Sequence, residues 1–263
     1  MERLEKLKSI SAVRADAEAD IGLINQYTRR PLKPEEVYCF SVNLCDNDVD
    51  RDMERFTDEC LQKLAPMFVG KTGLQDHRWS SEKQFARLYR VEVEDGRGKN
   101  ALGEQLRVLR GCAYVPNTES NRPLIEAIDS GIAKEVSVGV GVSKCTCSIC
   151  GKPQKLDYRT WTYQCETGHI KGETYDGRLC VGNLEEPKEA YEFSLVAVPS
   201  QRGAGITKGM QNLDDAFSAL MTADLSGHGS KVKELMPHLQ SAMLADTERA
   251  ERAKIVQEAQ KYQ

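Results

Sequence analysis

Alternation of apolar side chains with a period of two, repeated between residues 37 and 198, limits what this chain can become more than any other feature. In Val37–Cys45 the residues Tyr38, Phe40, Val42 and Leu44 alternate with more polar neighbours, the signature of a half-buried strand. Lys134–Val142 and Tyr191–Val198 alternate in the same way, and Phe85–Val93 and Leu106–Val115 have strand composition. Two short helices are predicted among them, one over 57–68 and one over 120–130 with Gly131 as its stop signal. The middle of the chain is therefore an α+β domain of five or more strands, roughly 37–200.

The flanks read differently. Residues 2–29 place Leu4, Leu7, Ile10, Ala17, Ile21 and Ile24 at three- and four-residue spacings, which predicts a helix that Pro31 and Pro34 end. From Leu213 to Gln263 only Phe217 and Tyr262 are aromatic, and charges of both signs interleave. That segment reads as helices with too little bulky apolar content for a core of their own, suited to a solvated arm or a partner-binding tail. The expected division is an N-terminal helical extension at 1–34, a central domain at 35–203 and a helical tail at 204–263. A chain of 263 residues with 40% hydrophobic side chains has enough material for this plan.

Charge excludes one broad class. Thirty-six Lys and Arg against 40 Asp and Glu leave a net charge of −4, so no basic excess exists to displace counterions from nucleic-acid phosphates. No apolar run approaches the roughly 20 residues of a membrane helix. The N-terminus, MERLEKLKSI, lacks the apolar core of a secretory signal, and a reducing, cytosol-like compartment is expected.

Five of the nine cysteines lie between 145 and 180. Cys147, Cys150, Cys165 and His169 form a C-x2-C-x14-C-x3-H pattern, the spacing of a two-knuckle tetrahedral zinc site, and Gly151 suits the tight turn of the first knuckle. Residues 145–185 thus read as a zinc-ribbon insertion, ordered by its metal, with a structural role because four protein ligands leave no open position. Cys145 and Cys180 are spare, and Cys180 could replace Cys165 or His169. Cys39, Cys45, Cys60 and Cys112 are expected to pack as small hydrophobes. Asp46, Asp48, Asp50 and Asp52 superficially suggest a calcium loop, but Arg51 and Thr57 stand where glycine and glutamate are required, so a solvated turn is expected.

The chemistry-bearing candidate is Glu135–Val142. Its valines share one face, which leaves Ser137, Gly139 and Gly141 on the other. One hydroxyl followed by two bare positions fits a nucleophile beside a docked extended peptide, and equally fits a strand packed tightly against another element. A serine nucleophile needs a base. Of the four histidines, His169 sits in the cysteine cluster and His228 and His238 in the polar tail, which leaves His77. Glu192 and Asp76 are the candidate acceptors for orienting it. Ser194 is a rival serine among larger neighbours.

The segments Asp50-Arg51-Asp52-Met53-Glu54-Arg55-Phe56, Asp76-His77, Ala113-Tyr114-Val115-Pro116-Asn117-Thr118, Ser137-Val138-Gly139 and Glu192-Phe193-Ser194-Leu195-Val196-Ala197-Val198-Pro199 come in an order that resembles the tailed-phage prohead proteases, which share a fold with the herpesvirus assemblins. The resemblance covers about 37–200. It implies a compact β-barrel surrounded by helices, with Ser137 as nucleophile, His77 as general base and Glu192 as third member. It also implies a serine endopeptidase that cleaves scaffold and major capsid proteins inside an immature capsid in the host cytoplasm. A homo-oligomer is expected, with no membrane partner and no general nucleic-acid binding. The alternatives are a proteolytically inactive internal scaffold and a zinc-ribbon assembly protein.

Overall fold

The computed structural model describes residues 17–207. Residues 2–16 of the helix expected over 2–29, and residues 208–263 of the tail expected over 204–263, lie outside the described residues. Three α-helices are described, α1 (Ala17–Ile24), α2 (Asp58–Phe68) and α3 (Arg122–Asp129), beside three short 3-10 turns. The strands are β1 (Val37–Asp46), β2 (Glu54–Phe56), β3 (Thr72–Gln75), β4 (Ala86–Lys99), β5 (Gln105–Pro116), β6 (Val136–Cys147), β7 (Gln154–Asp157), β8 (Thr162–Cys165), β9 (Thr174–Tyr175), β10 (Arg178–Leu179), β11 (Gly182–Leu195) and β12 (Gly205–Thr207).

Eight of these strands form one mixed sheet in the order β12-β1-β5-β4-β3-β11-β2, with β6 also paired to β11. The expected barrel is corrected to a sheet that does not close into one. Ladder pairing stops at β6 on one side and β12 on the other, and only an isolated bridge, Glu135 to Gly205, spans them. Strand β12 has three residues, too few to build a closing ladder.

Apolar alternation places the core as expected. Phe40, Val42 and Leu44 from β1, Leu88 and Val91 from β4, Leu109, Ala113 and Val115 from β5, Val136 from β6 and Phe193 from β11 form one buried cluster. Helix α2 covers it with Leu61, Leu64 and Phe68. Thr57 caps that helix by accepting the Cys60 N–H at 3.2 Å, and Asp58 and Glu59 occupy the first turn, where the helix dipole favours negative charge.

Three boundaries differ from expectation. Helix α1 stops at Ile24, well before Pro31, because the Asn25 side chain clamps the chain at Leu32, accepting its N–H at 2.8 Å and donating to its carbonyl at 3.0 Å. The sheet continues past 203, since β12 pairs with β1 through Ser41, Val42 and Asn43. The insertion is shorter than 145–185, because β6 and β11 stay paired, across two bulges in β11, out to Cys147 and Gly182. The Asp46–Asp52 turn is also less solvated than expected. Asp46 and Asp50 are buried, and their carboxylates accept the backbone N–H groups of Asp48, Asp52 and Glu54. Among the described residues no helix is long and apolar enough to cross a membrane.

Candidate functional site

Strand β11 carries the site. It lies between β3, which runs parallel with Thr72 opposite Glu192 and Leu74 opposite Ser194, and β6, which runs antiparallel with Gly139 opposite Glu192 and Ser137 opposite Ser194. Paired residues on neighbouring strands point to the same face. Ser137, Glu192 and Ser194 therefore share one face, while Phe193 points into the core.

The chain reaches this face again immediately after β3. Asp76 and His77 both adopt left-handed backbone, with φ of 55° and 53°, at a cost of about 1–3 kcal/mol each for non-glycine residues. Hydrogen bonds hold them there. The Asp76 N–H donates to the Leu195 carbonyl at 2.9 Å, and the His77 N–H donates to Ser194 Oγ at 3.1 Å. The turn brings His77 Nδ1 to 2.8 Å from Glu192 Oε1. Ser194 completes the arrangement by donating its hydroxyl to Glu192 Oε2 at 2.5 Å.

The carboxylate is buried, with a side-chain exposure of 3%, whereas the imidazole is 40% exposed. A buried acceptor fixed at both oxygens sets the tautomer of a solvent-facing histidine: with Nδ1 donating to the carboxylate, Nε2 is left as the basic nitrogen. Glu192, not Asp76, is the partner of His77.

Ser137 is half-buried, on the same face, one strand beyond Ser194. Its hydroxyl makes no hydrogen bond to His77 among the described residues. The two bare positions beside it are not empty. A Cβ on Gly139 would stand 2.5 Å from Glu192 Oε1, and one on Gly141 would stand 2.9 Å from the Tyr191 hydroxyl. A bulge in β11 at Tyr191 explains this, because Ala190 pairs with Val140 and Glu192 with Gly139. The extra residue turns both Tyr191 and Glu192 onto the site face. The glycines thus make room for the protein's own side chains rather than for a peptide backbone. Ser194 is the residue that sequence reasoning under-used. Its i, i+2 spacing from Glu192 in a strand was the available signal.

The second constellation lies at the other end of β6 and β11. Cys147, Cys150, Cys165 and His169 place their ligand atoms within 4.8 Å of one another. Cys150 Sγ lies 3.6 Å from Cys165 Sγ, and His169 Nδ1 lies 3.7 Å from Cys147 Sγ and 3.5 Å from Cys165 Sγ. Metal–sulfur bonds of about 2.3 Å and metal–nitrogen bonds of about 2.0 Å at tetrahedral angles put ligand atoms about 3.5–3.8 Å apart, so the four groups fit a four-coordinate metal. Both knuckles turn on glycine, Gly151 (φ 72°) and Gly168 (φ 84°).

The electrostatics agree with that grouping. The Thr167 hydroxyl draws the Cys150 thiol down to about 6, and the Cys150 sulfur raises His169. Burial pushes Cys180 up to about 12. Cys180 lies 3.6 Å from Cys147 Sγ and accepts from the Gln154 amide at 3.4 Å, which makes it a neighbour of the cluster. Cys145 is half-buried and outside the cluster, and the other four pack as expected: Cys45, Cys60 and Cys112 are buried, Cys39 half-buried.

Comparison with protein-family models, with curated proteins and with solved structures yields no match to this chain.

Proposed function

We propose that the chain is a serine endopeptidase of the prohead-maturation type, with a structural zinc in its insertion. The observation that carries this reading is the His77–Glu192 pair at 2.8 Å, with Glu192 on the same sheet face as Ser137, one strand over and two residues along in register. In this reading His77 takes the Ser137 proton as the hydroxyl attacks a peptide carbonyl, then protonates the leaving amine; water hydrolyses the acyl-enzyme in a second round. Glu192 holds the imidazole in the tautomer this requires and stabilises the imidazolium. A looser serine–histidine contact without substrate is common for such pairs. Backbone strain at Asp76 and His77 is the kind that accumulates at working sites. A thiolate-rich Cys3His set at tetrahedral distances favours zinc.

The substrates in this reading are phage scaffold and major capsid proteins, met inside an immature capsid in the host cytoplasm, by a protease that assembles with copies of itself. The second reading is an inactive internal scaffold or assembly protein, favoured by the absence of a hydrogen bond between Ser137 and His77. Mass spectrometry of a co-expressed capsid protein decides between them. Cleavage by the native chain that disappears with Ser137→Ala, in a variant that melts normally, is the expected result. Cleavage undiminished by that substitution rejects the serine mechanism, and no cleavage by either protein favours the assembly reading.

A further inference from the structure

Beside the His77–Glu192 pair, on the β3 side, the surface opens into a cavity of about 330 Å³ that Glu192 itself helps to line. Its walls include Trp79, Tyr191 and Leu74. Trp79 is 73% exposed, so a face of its indole is open to a guest. Its ring stands against Tyr191 with centroids 5.4 Å apart and planes tilted by 46°. Both aromatic residues are tied to the candidate chemistry by sequence: Trp79 follows His77 by two residues, and Tyr191 is the bulged residue that precedes Glu192.

Resting on the peptidase reading above, we infer that this cavity is a specificity subsite that takes one bulky, uncharged apolar side chain of an extended substrate peptide. Lys71 and Glu189 in the lining offset each other, and Glu192 is committed to His77 and Ser194. Nothing there favours a charged guest, whereas an indole and a phenol ring offer large apolar faces. Two strand spacings of about 4.8 Å separate β3 from β6, so the cavity floor lies about 10 Å across the sheet from Ser137. An extended peptide advances about 3.3 Å per residue. The side chain held here therefore belongs to a residue about three positions from the scissile bond.

The test uses the full chain and a set of short fluorogenic peptides in which each position in turn is Leu, Phe, Ala, Asp or Lys. The native protein is expected to prefer Leu or Phe at one position about three residues from the cut. Trp79→Ala raises KM for those peptides about tenfold or more, leaves kcat within about twofold, and leaves the Ala peptides unchanged. Trp79→Phe restores most of the preference. A Trp79→Ala protein that keeps the preference overturns the subsite while leaving the peptidase intact. If the native chain cuts no peptide, the peptidase reading is what fails, and binding then judges the cavity. Because Trp79 and Trp161 are the two tryptophans, Trp161→Phe makes Trp79 the sole reporter. A Trp79 emission shift on titration of a Ser137→Ala, Trp161→Phe protein with the Phe peptide, absent with the Ala peptide, supports the apolar site; no shift with either overturns it.

Discussion

Replacing Gly139 with alanine should dismantle the candidate site from a position that carries no functional group. The added Cβ would stand 2.5 Å from Glu192 Oε1 and 3.3 Å from its carboxyl carbon, so the carboxylate must retreat by about 1 Å to reach ordinary contact distance. A free glutamate would do this at little cost. This one is buried and pinned by His77 at 2.8 Å and Ser194 at 2.5 Å, and a retreat of that size breaks the bond to His77 or to Ser194. Losing one hydrogen bond to a charged group costs about 1.5–3 kcal/mol, while removing a glycine from the unfolded chain returns about 0.4–1 kcal/mol. The net expectation is a loss of about 1–2 kcal/mol in urea unfolding, and about 10²–10⁴-fold in any His77-dependent cleavage. The decisive assay is a double-mutant cycle with Glu192→Ala. Once the carboxylate is gone, Gly139→Ala should become neutral or mildly stabilising. An equal penalty with and without Glu192 would show that the alanine collides with something else, and the steric account of Gly139 would be wrong.

The candidate metal cluster and the buried turn make separate predictions. Elemental analysis should find one zinc per chain, Cys147→Ser or Cys165→Ser should weaken its retention by at least about a hundredfold, and Cys180→Ser should keep it; zinc lost equally from the Cys180 variant would move that thiol into the ligand set. Burial raises Asp46 from 3.8 to about 6, against the Asp48 N–H that favours its charged form. The folded state therefore prefers the protonated acid, and stability falls as pH rises from about 4 to about 6, by at most about 3 kcal/mol. Asp46→Asn should raise the melting temperature at pH 8 and have little effect at pH 4, whereas an equal shift at both values would refute the burial argument.

Which parts were legible in the sequence follows from the range of the forces involved. Strand alternation in β1 and in the first half of β6 and the helix over 57–68 are local, and all three emerged close to where their patterns predicted; that Thr57 caps the helix instead of opening it came from the structure. The Cys147–His169 spacing is nearly local, because each knuckle is closed by its own glycine turn. What escaped depends on register. The bulge at Tyr191 leaves no mark in the sequence of β11, yet it alone decides that Gly139 and Gly141 lie under side chains of this protein. Ser194, at first a rival nucleophile, is instead the link between the His77 backbone and the Glu192 carboxylate. That role appears only when β3 is laid against β11. The acidic turn was misjudged for the same reason, since Gln201, distant in sequence, packs over Asp46 and donates to its carbonyl at 3.1 Å.

Strand β6 carries Ser137 at one end and Cys147 at the other, and their separation decides what a metal held by the cysteine cluster could do. Ser137 and Cys147 lie on the same strand, β6, ten residues apart, which at about 3.3 Å per residue places them about 30 Å from one another. A cation at that distance exerts no useful field on a carbonyl at Ser137 once solvent and salt intervene. It can act only through the backbone. The β6–β11 ladder runs from Cys147 opposite Gly182 to Val136 opposite Leu195, and the β11 bulges at Lys188 and Tyr191 lie along it. A metal joining Cys147 to Cys165 would fix the end of β6 to the insertion, whose chain continues into β11 at Gly182, and would oppose the slippage that turns Ser137 away from the face bearing Glu192. A metal held there would therefore act mechanically, on the end of the ribbon, and chemistry at Ser137 would not depend on its field.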